Sequence, residues 1–103
     1  MIRVTGRLIC TTPEDADIVT RRLPDHIRLS RAEPGCLSFN VTRSADPLVW
    51  QLDETFASRA AFDAHQTSAS AWFAATAHLA RDFWVQETPG AFSAAPSDAP
   101  RSQ

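Results

Sequence analysis

The chain has 103 residues, 44% of them hydrophobic, enough for the core of one domain but not for two. Ten basic residues, every one an arginine, face twelve acidic ones for a net charge of −2. No stretch concentrates positive charge and none is apolar for the length of a bilayer, so neither nucleic acid nor a membrane is an expected partner, and a soluble, cytoplasmic protein is.

Ile2 to Cys10 alternates, with Ile2, Val4, Leu8 and Cys10 on one face and Arg3, Thr5 and Arg7 on the other, which predicts a half-buried strand. Thr12-Pro13-Glu14-Asp15 then opens a helix. Thr12 can cap it, Pro13 suits its first position, and the two carboxylates meet the positive end of the dipole. Ala16, Val19, Leu23 and Ile27 keep helical spacing, Pro24 predicts a kink or restart, and Pro34-Gly35 marks a turn beyond the end. Cys36 to Thr42 predicts a second strand, with Leu37, Phe39 and Val41 on one face. Val49 to Phe56 predicts a third, with Trp50, Leu52 and Phe56 inward, and the short link Ser44-Ala45-Asp46-Pro47 makes the pair a hairpin.

Ser58 can cap a second helix that carries Phe62 and His65 on one face. Thr67-Ser68-Ala69-Ser70 predicts a break, after which Trp72, Phe73, Thr76, Leu79 and Ala80 continue the helical stripe. Phe83 to Thr88 predicts a fourth strand with Phe83 and Val85 inward. Residues 89–103 are rich in Ala, Ser and Pro and read as a tail in which Phe92 is the only large anchor, docking against the body or a partner subunit. Cys10 and Cys36 form no paired motif and read as buried thiols.

The order β-α-β-β-α-β defines an α+β, ferredoxin-like domain over residues 1–88: a four-stranded antiparallel sheet with two helices on one face. The other face would carry Thr5, Arg7, Ile9, Ser38, Asn40, Thr42, Gln51, Asp53 and Trp84. A chain this short leaves apolar surface uncovered, which favours a homodimer.

Three segments carry a resemblance. They are Glu33-Pro34-Gly35-Cys36-Leu37-Ser38-Phe39, Leu52-Asp53-Glu54-Thr55-Phe56 and Ser58-Arg59-Ala60-Ala61-Phe62-Asp63-Ala64-His65. In this order and spacing the chain resembles the antibiotic biosynthesis monooxygenase family over about residues 1–88. The resemblance implies a dimeric α+β barrel, closed sheet to sheet, with a pocket between sheet and helices in each subunit. It also implies oxidation of phenols or quinols by molecular oxygen without metal or flavin. Haem-degrading relatives resemble one another in an Asn on the first strand, which this chain lacks. A cofactor-free polyketide oxygenase of the family has an Asn, a Trp four residues later and a Tyr six further on. Here those places hold Ser68, Trp72 and His78, so only the tryptophan matches.

His65, on the apolar side of its helix, is the candidate base, although a core histidine satisfied by a neighbour would fit the same spacing. Glu54 shares a face with Trp50, Leu52 and Phe56, and is expected to orient His65 as the second member of a catalytic dyad. Phe39, Phe62, Trp72 and Phe73 are expected to line a pocket for a small aromatic substrate. His78 falls off the apolar stripe, and His26 flanks the first helix's stripe. The three histidines have no ligand spacing, so no metal and no cofactor is expected. An isomerase using the same His65 base, or a binding protein for small hydrophobic ligands without chemistry, would use the same residues.

Overall fold

A computed structural model of the chain describes residues 1–88. The expected docking of Phe92 and the whole tail from residue 89 onward lie outside the described residues. Strand β1 (Ile2–Ile9), helix α1 (Pro13–Arg31), strands β2 (Cys36–Arg43) and β3 (Val49–Phe56), helices α2 (Arg59–Ser68) and α3 (Ser70–Ala75), and strand β4 (Ala80–Glu87) follow in order. All pairings are antiparallel, and the sheet runs β2-β3-β1-β4. This is the expected ferredoxin-like α+β order, with the second helix broken at Ala69.

Helix α1 starts where its capping chemistry places it. The Thr12 hydroxyl accepts the Asp15 N–H at 3.1 Å, Pro13 follows, and Arg28 and Arg31 occupy the last turn. The helix does not restart at Pro24. Pro24 is exposed, so water can take the carbonyl that it leaves without a donor. The Arg31 guanidinium then ties the helix end to β2, donating to Phe39 O at 3.0 Å and Asn40 Oδ1 at 3.2 Å.

Two expectations need correction. Leu37 does not share the inner face with Phe39 and Val41; it is 59% exposed. Cys36 pairs with Phe56 and Ser38 with Thr55, so Leu37 is the extra residue of a β-bulge, which resets the alternation. Nor does the helical stripe reach Ala80, since α3 stops at Ala75 and β4 begins at Ala80. Pairing of Ile9 with Ala80 lets β4 run the full length of β1, and Arg81 closes the turn by donating to Thr76 O and Oγ1. Ladder pairing therefore overrides a local helical period.

The core lies between the sheet and the helices and is built on Ile2, Val4, Leu8, Val19, Leu23, Phe39, Trp50, Leu52 and Phe56. Phe83 and Val85 face the same side, opposite Gly6 and Val4, but are 42% and 47% exposed because they sit on an edge strand. Gly6 admits no side chain: a Cβ there would stand 2.0 Å from the Asp82 carbonyl oxygen. Gly35 has φ +84° and would set a Cβ 2.6 Å from that of Ala61, so only glycine fits this turn against α2. Both cysteines are free, Cys10 buried and Cys36 half-buried. Among the described residues no helix is long and apolar enough to cross a membrane.

Candidate active site

His65, on α2, is only 2% exposed. Its ring packs among Phe39, Phe56 and His26, with centroids 5.3, 5.1 and 5.9 Å away. The carboxylate that meets it belongs to Glu33, from the turn before β2: His65 Nδ1 lies 2.8 Å from Glu33 Oε1. Ser68, one helical turn beyond His65, donates its hydroxyl to the other oxygen, Glu33 Oε2. A carboxylate can only accept, so Nδ1 carries the proton, and the neutral ring keeps Nε2 as its basic atom. That nitrogen has no hydrogen-bond partner among the described residues.

Glu54 does not orient His65, as its expected role required. It lies in the middle of the sheet, between Val4 of β1 and Phe39 of β2, and is 8% exposed. Among the described residues its carboxyl makes no hydrogen bond. Burial first, then the charges of Glu33 and Asp53, pushes its pKa up to about 7. Its alternation along β3 was legible; its missing partner depends on where the turn at Glu33 falls in space.

Glu54 and His65 nevertheless share one cavity, of about 100 Å³, whose other walls include Val4, His26, Phe62, Trp72, Phe73 and Phe83. Three of the four expected aromatic residues, Phe62, Trp72 and Phe73, therefore line it. Phe39 does not: at 1% exposure it stands behind the two imidazoles as core, 5.3 Å from each. His26 joins the site more closely than its sequence position suggested. It stacks on Trp72 with a centroid separation of 4.4 Å and a 6° interplanar angle. Burial, then the charge of His65, lowers its pKa to about 4, so it is neutral at neutral pH. The stacked pair also walls a second, outer hollow of about 160 Å³, which Arg22, Glu33 and Ser68 line as well. His78 is a surface residue bonded to Asp15 at 3.0 Å.

Glu33 and Ser68 are the site residues that sequence reasoning left unassigned. Glu33 opens the quoted Glu-Pro-Gly segment, and Ser68 ends α2 just before the break at Ala69, where the sequence shows only a departure from the polyketide oxygenase's Asn.

The chain is thus a ferredoxin-like domain that sets a carboxylate-held histidine at an apolar cavity. The antibiotic biosynthesis monooxygenase profile matches residues 1–79, and the chain belongs to that family. Among solved structures, Rv0793 from Mycobacterium tuberculosis is 27% identical, with a TM-score of 0.76, over 84% of this chain and 93% of its own. A provisionally named antibiotic biosynthesis monooxygenase from Nitrosomonas europaea is 22% identical, with a TM-score of 0.72, over 84% and 98%. Another antibiotic biosynthesis monooxygenase is 23% identical, with a TM-score of 0.71, over 85% and 98%. These last two share the fold with this chain. No curated protein matches the sequence.

Proposed function

We infer that the protein is a cofactor-independent monooxygenase that oxidises a small phenol or hydroquinone with molecular oxygen. The observation that carries this is the buried His65, held through Nδ1 by Glu33 and lining an apolar cavity. Oxygen is a triplet and reacts slowly with closed-shell molecules. Deprotonating a phenol makes an anion electron-rich enough to pass one electron to oxygen, after which the two radicals combine at a ring carbon. His65 Nε2 takes the phenolic proton; Glu33 fixes the tautomer and stabilises the imidazolium. Trp72, Phe62 and Phe73 supply the apolar walls that keep water from the anion. Family membership supports the same chemistry.

The test is oxygen uptake by the metal-free protein over a panel of hydroquinones. Uptake above the uncatalysed rate with at least one of them is the expected result; none across the panel, or turnover that persists under argon, counts against an oxygenase.

The cavity of about 100 Å³ is smaller than the roughly 150 Å³ that holds a benzene, so a one-ring substrate must reach past exposed Phe83 and Val85. Separately, a second copy of the chain is proposed to cover the open face of the sheet, opposite the cavity. Trp84 on the open sheet face is 59% exposed, and the charges around it are paired within the face, Arg3 with Asp53 at 2.8 Å and Arg7 with Asp82 at 2.6 Å. Paired charges cost less to bury than single ones. Sedimentation at micromolar concentration is expected to give a dimer, and a clean monomer refutes it.

A further inference from the structure

We propose that Glu54 is a second catalytic residue of this site, a carboxylic acid that handles the protons of the oxygen-derived half of the reaction. The inference rests on the oxygenase reading above. It starts from a group that has no structural employment. Glu54 is more than nine-tenths buried, has no hydrogen-bond partner among the described residues, and lines the cavity that His65 lines. Its oxygens open on the cavity and on no protein donor, and Gln or Leu would fill the same place in the sheet with no charge to desolvate.

The groups around it fix its form. His26 on α1 and His65 on α2 line the cavity with it, Glu33 in the turn stands beyond His65, and the Cys36 thiol on β2 is near enough to feel its charge; Asp53, which precedes it on β3, lies on the other face. Its two strand neighbours, Val4 and Phe39, are apolar. His26 is neutral, so no cation among the described residues of the cavity holds Glu54 ionised until His65 accepts a proton. At rest the cavity thus presents one base and one acid.

With hydroquinone the protons balance. His65 Nε2 takes a hydroxyl proton, and oxygen adds to the neighbouring ring carbon, leaving C(H)–O–O⁻. Glu54 gives its proton to the distal oxygen. The resulting carboxylate removes the ring C–H proton, and those electrons form C=O as the O–O bond breaks. The departing hydroxide takes the proton from His65 and leaves as water. One hydroquinone and one oxygen give one hydroxyquinone and one water, no outside reductant is consumed, and both residues end as they began.

The test compares the full-length wild type with Glu54→Gln and Glu54→Asp on hydroquinone and its ring-deuterated form. Glu54→Gln is expected to lower hydroxyquinone formation about 10²-fold. It should divert the remaining turnover to benzoquinone and hydrogen peroxide, and raise the isotope effect of ring deuteration. Glu54→Asp should restore part of the hydroxyquinone. In a carbon-detected NMR titration the Glu54 carboxyl should titrate near 7. Wild-type turnover with unchanged products and isotope effect in Glu54→Gln overturns the role of Glu54 and leaves the oxygenase standing. A Glu54 that titrates with ordinary carboxylates overturns it as well. A wild type that never forms hydroxyquinone from any hydroquinone removes both.

Discussion

Replacing His65 by Ala is expected to lower turnover by about 10²–10⁴-fold, or ~3–5 kcal/mol of barrier, with little change in KM. The ring is the cavity's one base that is both buried and pre-oriented, through the 2.8 Å contact of Nδ1 with Glu33. Glu33→Gln separates orientation from basicity. The amide fills the same space but can offer Nδ1 either its NH2 or its oxygen, so the tautomer with a basic Nε2 is no longer fixed and the imidazolium loses its counter-charge. A loss on the order of 10²-fold follows, with the fold intact. Because the alanine variant would leave a hole in a packed region, His65→Gln serves as its companion, and thermal unfolding reports whether each variant is folded. Oxygen uptake at saturating hydroquinone measures the effect. A folded His65→Gln with wild-type kcat would remove His65 from the chemistry, and a folded Glu33→Gln with wild-type kcat would remove the orienting role of Glu33.

The strands, the capped starts of α1 and α2 and the break at Ala69 were legible because each rests on local chemistry. These are alternation with period two, Thr12 and Ser58 as caps, and a Ser/Thr-rich interruption. Leu37 was misplaced because a bulge adds one residue to one strand, and only the partner strand's register reveals it. The helical stripe through Leu79 and Ala80 was a true apolar pattern with the wrong owner, since pairing with β1 claims Ala80. At the site, His65, Phe62, Trp72 and Phe73 could be read because helical spacing gathers them. The pairing of His65 with Glu33 could not be. The two are 32 residues apart, and their meeting depends on Gly35 turning the chain tightly against Ala61. Glu54 was correctly aimed inward but given the wrong neighbour: its face follows from its own strand, whereas its partner depends on a loop.

Stability is expected to be nearly flat between about pH 4.5 and 6.5 in the wild type and to slope once Glu54 or His26 is replaced. The folded pKa of Glu54, about 7, lies above the ordinary 4.5, so the folded chain holds a proton that the unfolded chain releases. Its contribution is fully present below 4.5 and is lost as pH rises through 7. His26 runs the other way. With a folded pKa of about 4 against 6.5, its contribution is full above 6.5 and is lost as pH falls through 4. Each group alone gives a slope of up to about 1.4 kcal/mol per pH unit. The two slopes are opposite in sign where the windows overlap, so they cancel there. Asp15 and Asp53 are held below the usual carboxylate range by His78 and Arg3, and so act at more acid pH. Glu54→Gln removes one slope. Its melting temperature should climb with pH from about 4 to 6.5, and above pH 7 it should exceed wild type, by up to about 3 kcal/mol of stability. For a domain of this size that is at most roughly 12–24 °C. His26→Phe, which keeps an aromatic ring against Trp72, should instead lose stability as pH rises from 4.5 to 7. Calorimetric melts at half-unit pH intervals separate the three curves. Parallel curves for wild type and Glu54→Gln would mean that Glu54 is an ordinary carboxylate, while divergence above pH 7 would show that the fold tolerates an acid which a simple core would replace.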